Sequence, residues 1–365
     1  FNASSESYLK KQMNLVKTNA LFMPTITFLI GLSTVLTIYL GGVLSAEAQS
    51  TLSSGNILTF IFYVNMLTWP FASVGWVTSL VQRAAASQER INEFLQEQPE
   101  ISNPTQEPFQ FKGKISFNNV SYTYPNSGIQ AIKNLSFTVE KGQTIAILGR
   151  TGSGKSSVIN LVMRQFDPTE GSISIDDQPL SSINVEDFRN QTGVVPQEVF
   201  LFSDSIRNNI KFGLNEEEDR TDKELNEIMK VAHVYHNVVD FPDGLDTLLG
   251  ERGVNLSGGQ KQRLSICRAL IRKPKFLILD DCLSAVDTET EEIILNNLKA
   301  QIRDNTTLIV SHRVSSIRYA DKIIVLEDGE KIEEGSHEEL LAKKGVYHEV
   351  YQKQLLEGEQ KENND

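Results

Sequence analysis

The run Gly149-Arg150-Thr151-Gly152-Ser153-Gly154-Lys155-Ser156-Ser157 has residue types and a spacing suited to holding a chain of phosphates. Its glycines let the backbone curl so that successive N–H groups face one anion, and a helix starting at its end adds a positive dipole terminus. Lys155 is placed to reach β- and γ-phosphates, and the Ser156 hydroxyl to ligate Mg²⁺. A second carboxylate-bearing run completes the set. Phe276-Leu277-Ile278-Leu279 is apolar and ends in Asp280, the Walker B pattern in which the aspartate holds Mg²⁺ through water. Between these two motifs lies Leu256-Ser257-Gly258-Gly259-Gln260, directly ahead of a helical run from Lys261 to Ile271. It offers a second helix N-terminus to an anion.

Such residues work only if regular elements hold them. Thr144 to Leu148 is a short apolar run suited to a buried strand, and Ser157 to Val162 continues at helical spacing, so the phosphate loop sits between strand and helix. The interval between Lys155 and Asp280 leaves room for an inserted helical subdomain. Strand-like alternation begins at Lys114 to Val120 and returns at Leu135 to Val139, so a nucleotide-binding domain is expected over residues 111–356. Glu216 to Asp219 reads as a solvated acidic face and residues 357–365 as a disordered acidic tail.

Upstream the composition changes. No charge falls between Lys17 and Glu47, and none between Glu47 and Arg83. Leu21 to Leu44 would span roughly 36 Å at about 1.5 Å per residue, against a bilayer core of about 30 Å. Ile57 to Val81 makes a second such run, interrupted by Pro70, and Ser45 to Asn56 joins the two. Lys10, Lys11 and Lys17 precede this hairpin and Arg83 and Arg90 follow it, which places both outer ends on the cytoplasmic side. Residues 1–98 are therefore read as the end of a transmembrane domain, closed by a charged helix from Ser87 to Gln98. Pro99, Pro104 and Pro108 mark a linker over residues 99–110. The chain has 365 residues, 40% of them hydrophobic, and a formal net charge of −12, which argues against a nucleic-acid partner. Cys267 and Cys282 read as two reduced thiols. A start at Phe1 rather than methionine gives the expectation of a fragment.

Together these motifs resemble the ATP-binding-cassette family, in which Leu256 to Gln260 is the signature sequence. The resemblance runs from about Leu9 to Leu356. It implies an α/β P-loop NTPase with a RecA-like core, an antiparallel β-subdomain and a helical subdomain, preceded by an all-α transmembrane helical hairpin. It also implies ATP and Mg²⁺ as cofactors. On this resemblance Tyr124 stacks on adenine, Tyr122 being the alternative as a core residue. Gln197 is the Q-loop glutamine, which ligates Mg²⁺ with Ser156 and Asp280. Ser284, Ala285 and Asp287 form the D-loop, and His312 is the switch histidine that contacts the γ-phosphate. Gly250-Glu251-Arg252-Gly253 and the membrane-first order resemble exporters with fused domains, so the two spans would be the fifth and sixth of six.

One position departs from the family pattern. Where most members carry glutamate after the Walker B aspartate, this chain has Asp281, one methylene shorter, and a misplacement of about 1 Å can cost on the order of 100-fold in rate. The resemblance then implies a heterodimer: a slow site on this chain's Walker motifs, and a competent site on a partner exporter half, completed by Ser257 and Gly259. The expected setting is the plasma or inner membrane, with a multi-pass chain, a cytoplasmic cassette and a transported small molecule, lipid or peptide. A regulatory or DNA-associated cassette ATPase is disfavoured by the hydrophobic hairpin and the acidic balance. An importer ATPase is disfavoured because importer cassettes are usually separate soluble chains.

Overall fold

The computed structural model describes residues 2–46, 53–215, 218–301 and 305–362. The chain divides into two units, Phe1–Pro99 and Glu100–Asp365. The first holds helices α1 (Asn2–Ser45) and α2 (Ser54–Gln96), long and apolar enough to cross a membrane. Most of the expected connecting loop lies outside the described residues. Half-buried positions recur at helical spacing, Ile26, Ile30, Thr34, Thr37 and Gly41 on α1 and Ile57, Ile61, Val64, Thr68 and Ala72 on α2. A methyl added at Gly41 would meet Ile57 at 2.9 Å, so glycine sets how closely the helices approach there. Threonine hydroxyls fold back onto carbonyls four residues earlier, Thr25 to Leu21 and Thr37 to Ser33 among them, which satisfies them without water. Large apolar side chains face outward over the rest of both helices; Phe71 is 75% exposed and Trp69 70%.

The second unit is built on two sheets. Strands β1 (Ile115–Thr123), β2 (Gln130–Val139), β4 (Glu170–Ile175) and β5 (Gln178–Pro179) form an antiparallel sheet in the order β2-β1-β4-β5. Strands β3 (Thr144–Leu148), β6 (Thr192–Val195), β7 (Phe276–Asp280), β8 (Thr306–Ser311), β9 (Lys322–Glu327) and β10 (Glu330–Gly335) form the other, in the order β10-β9-β3-β8-β7-β6. Its neighbours are parallel except β10 against β9. Near-continuous apolar strands such as β3 and β7 belong in a sheet buried on both faces. Accordingly Ile145 and Ile147 pack with α3 (Lys155–Val162) and the antiparallel sheet. Ala146 and Leu148 face α10 (His337–Lys343) and α11 (Val346–Glu362) on the other side.

After β5 comes α4 (Val185–Asn190) and, between β6 and β7, the helical subdomain: α5 (Ile206–Lys211), α6 (Asp222–Val231), α7 (Tyr235–Val239) and α8 (Gly258–Leu270). Its core joins Ile206, Leu225 and Leu264 to Leu277 and Leu279 of β7. Helix α9 (Thr288–Gln301) adds Ile294 and Leu298 to that core. Cys267 and Cys282 are buried and free, and burial pushes both thiols up in pKa.

Two expectations shift. The segment read as linker joins the cassette from Glu100 onward. Its prolines preclude regular structure but not packing: the Phe109 amide donates to Asp187 at 2.8 Å, and Gln191 donates to the Phe109 carbonyl while accepting from the Phe111 amide. Phe111, 2% exposed, closes an aromatic group with Phe188 and Phe276. Phe109, inside the segment read as linker, is 9% exposed and edge-on to the same Phe188, so Phe109→Ala should cost about 3–5 kcal/mol, read as a lower thermal midpoint of the detergent-solubilised chain; an unchanged midpoint would show that this segment does not belong to the core. The tail read as disordered instead continues α11 to Glu362, and residues 363–365 lie outside the described residues. Its Glu, Gln and Lys residues are helix formers, which charge composition alone underweights. Of the acidic run, Glu218 and Asp219 pair with Arg220 and Lys211, and residues 216–217 lie outside the described residues.

Candidate functional site

Parallel strands deliver their carboxyl ends to one edge of a sheet, where ligands bind in open α/β folds. Register brings Leu148 opposite Ser311, Asp280 opposite Val310 and Val195 opposite Leu279. The segments leaving these strands carry the phosphate loop, Asp281, His312 and Gln197. They line a cavity of about 530 Å³ that also takes in Tyr124, Thr151, Gly152, Gly154, Lys155, Ser156, Ser157 and Asp280. A second, adjoining cavity of about 840 Å³ adds Gly149, Arg150, Ser153 and one side of α11.

The loop's shape depends on glycine at two points. Gly154 has φ +100°, and a methyl there would lie 2.4 Å from the Ala131 carbonyl; at Gly149 it would meet Ser153 Oγ at 2.3 Å. Helix α3 starts at Lys155, so its first-turn N–H groups have no intrahelical acceptor. The Lys155 ammonium lies over the loop, donating to the carbonyls of Gly149 at 2.8 Å and Arg150 at 2.7 Å. Burial lowers its pKa, opposed by Asp281 and Asp280. Burial also pushes the Asp280 carboxyl up to about 6, with Asp281 adding to the rise and Lys155 opposing it. A half-buried carboxylate beside a second one is a place where a cation relieves a standing cost.

Asp281 is held differently. Its backbone is left-handed, φ 45°, and its side chain is only 9% exposed. One carboxylate oxygen accepts from the Ser311 hydroxyl at 3.2 Å, and the other lies 2.9 Å from His312 Nδ1. Both oxygens are thus engaged by groups of the chain itself.

Tyr124 reaches the cavity with its ring edge-on to Tyr122 and Phe166, and its hydroxyl lies 3.0 Å from Ser157 Oγ. Tyr122 is instead buried and stacked on Phe166. Leu256, Ser257, Gly258, Gly259 and Gln260 do not line this cavity. Ser257 caps α8, accepting from the Gln260 amide, while Gln260 accepts from the Ser257 amide in return. The loop Ser284 to Asp287 packs against that helix start, where a methyl on Gly259 would meet the Ala285 carbonyl at 2.9 Å. Asp287 in turn caps α9 through the Thr290 amide.

Several residues of this network had no sequence signal. Gln262 on α8 donates to the Ser284 hydroxyl and accepts from the Ala285 amide. Arg313 donates to the Ser284 carbonyl. Gln354 on α11 holds the His312 loop. The Asp328-Gly329 turn between β9 and β10, an Asp-Gly hairpin signal in the sequence, forms another cavity wall.

A phosphate loop before a helix, an acidic strand end and a histidine on the neighbouring strand's exit define a P-loop nucleotide-binding cassette. Residues 132–284 match the family profile described as ABC transporter, so this part of the chain is an ABC transporter domain. It is 41% identical, over 98% of its length, to a probable multidrug resistance ABC transporter ATP-binding/permease protein, YheI, of Bacillus subtilis. It is 38% identical, again over 98% of its length, to the multidrug resistance-like ATP-binding protein MdlA of Escherichia coli. The structure of a bacterial Atm1-family ABC exporter with ATP bound matches 97% of the chain and 61% of its own, with a TM-score of 0.80 and 31% identity. The chain spans 60% of the length of each of the two curated relatives. That domain carries ATP binding, and the two apolar helices together with these relatives support a membrane location.

Proposed function

We propose that this chain is part of one half of an ATP-driven exporter. The observation that carries this reading is a cavity of about 530 Å³ with Lys155, Ser156, Asp280, Gln197 and His312 on its walls, in one chain with two membrane-length apolar helices. Tyr124 stacks on the base. Backbone amides of Gly149 to Ser157 and the Lys155 ammonium bind the phosphates. The hard oxygen donors of Ser156, Asp280 and Gln197 suit Mg²⁺, which when bound neutralises charge on the β- and γ-phosphates. His312 contacts the γ-phosphate, and Asp281 accepts the proton of the attacking water.

Asp281 does that job poorly. Its carboxylate is turned to Ser311 and His312 rather than left free toward the cavity. This supports a heterodimer in which this chain's own site holds nucleotide longer than it cleaves it. Leu256 to Gln260 and the D-loop, outside that cavity, serve a partner's ATP. The cassettes close on ATP and reopen after hydrolysis, and membrane helices convert that motion to alternating access. The relatives' names point to multidrug-type small molecules as cargo, in a multi-pass cell-membrane protein with a cytoplasmic cassette.

The test is to purify the full-length protein with and without its genomic neighbour and reconstitute each preparation in lipid. ATP-dependent, vanadate-sensitive substrate movement is expected only from the pair. Strong transport-coupled hydrolysis by this chain alone would sink the heterodimer, and release of the full-length protein from membranes without detergent would sink the exporter reading.

A further inference from the structure

Helix α11 buries Tyr347 completely and packs Val350 and Tyr351 against the same core as Val314, Ile317 and Val325. About two turns beyond Tyr347, it carries Gln354. The Gln354 side-chain amide straddles Arg313: its Nε2 donates to the His312 carbonyl at 2.8 Å, and its Oε1 accepts from the Val314 amide at 2.8 Å. Strand β8 pairs with β3 only as far as Ser311. The carbonyl of His312 and the amide of Val314 therefore fall beyond the ladder, and the glutamine supplies the two bonds a strand partner would have made. Gln354 and His312 also line the same cavity beside the phosphate loop. Further ties on this loop run toward the D-loop, through Arg313 to the Ser284 carbonyl, and to Ser311, whose hydroxyl accepts from the Arg313 amide.

We propose that Gln354 is a positioning residue for His312, through which the C-terminal helix sets the switch histidine relative to the nucleotide. The imidazole can meet a γ-phosphate only if its own peptide is fixed, because a shift of about 1 Å can cost on the order of 100-fold in rate. A clamp on the carbonyl of that very residue limits such a shift. Docking of α11 thereby becomes a condition for turnover at this site. The inference rests on the ATPase reading above.

The experiment uses the full-length transporter in lipid nanodiscs and an azido-ATP photoprobe labelled at the α- or the γ-phosphate, so that label on this chain reports its own site. Gln354→Leu is expected to slow loss of γ-label about tenfold, while α-label incorporation stays within about twofold. Gln354→Glu, which keeps the acceptor for Val314 but loses the donor, should fall between. In a His312→Ala background Gln354→Leu should add nothing, a result that a merely structural role would not produce. Unchanged γ-label loss in Gln354→Leu, or α-label lost in parallel, would overturn the proposal. If the wild-type chain never loses γ-label, the ATPase reading fails by itself. Amide exchange at Val314 then decides the clamp: faster exchange in Gln354→Leu supports it, and unchanged exchange refutes it.

Discussion

Replacing Asp281 by glutamate is expected to raise ATP hydrolysis at this chain's own site by about 10- to 100-fold. Glutamate adds one methylene at the position that follows Asp280. The wild-type carboxylate is 9% exposed and engaged on both oxygens, by Ser311 Oγ at 3.2 Å and by His312 Nδ1 at 2.9 Å. A longer side chain from the same left-handed backbone must leave at least one of those partners, and the open direction is the cavity that His312 and Lys155 already line. Released from Asp281, the His312 ring is also freed to meet phosphate. Loss of γ-label from photolabelled Asp281→Glu chain measures the gain directly. A rate at or below wild type would show that the short side chain is not what limits this site. Ser311→Ala separates the two contributions: it frees one Asp281 oxygen without lengthening the side chain, so a gain much smaller than that of the glutamate variant is the expected result.

What could be read beforehand divides along a physical line. The phosphate loop, Asp280, Asp281 and His312 were legible because each is fixed by local pattern. An apolar strand run ends in a turn or a charge, and parallel register then brings those ends together without any further information. The choice of Tyr124 over Tyr122 rested on motif position alone; burial could not be read from it, and Tyr122 fills the gap against Phe166 while Tyr124 reaches toward Ser157. The start of the cassette was misplaced because three prolines signal a break in regular structure and carry no information about burial. Phe109 and Phe111 pack through irregular backbone whose hydrogen bonds go to Asp187 and Gln191. Gln262 and Gln354 were invisible for a related reason. A glutamine at helical spacing looks like any solvated residue, and its partners, the Ala285 amide and the His312 carbonyl, lie in segments remote in sequence.

Lys155→Met is expected to weaken nucleotide binding at this chain's site by at least about 100-fold, because hydrogen bonds to charged groups are worth roughly 1.5–3 kcal/mol each and the ammonium supplies more than one of them. Methionine keeps the apolar stem, so the fold should persist. Two consequences reinforce each other. The phosphates lose the cation that the loop holds against the carbonyls of Gly149 and Arg150. Asp280 also loses the neighbour that holds its pKa down, so the carboxyl rises above about 6 and a larger share is protonated near neutral pH, when it should be holding a cation. Azido-ATP labelling of this chain measures the effect, and incorporation within about threefold of wild type would count against Lys155 as the phosphate ligand. The same variant discriminates between assemblies. In a homodimer every site contains this lysine, and turnover stops. In the heterodimer proposed here the competent site uses the partner's phosphate loop and only the signature of this chain, so Lys155→Met leaves a substantial residual rate. Ser257→Arg, at the exposed start of α8, instead brings turnover close to background while this chain still labels with ATP. Equal loss of turnover in the two variants would reject the heterodimer and return both sites to a single kind of chain.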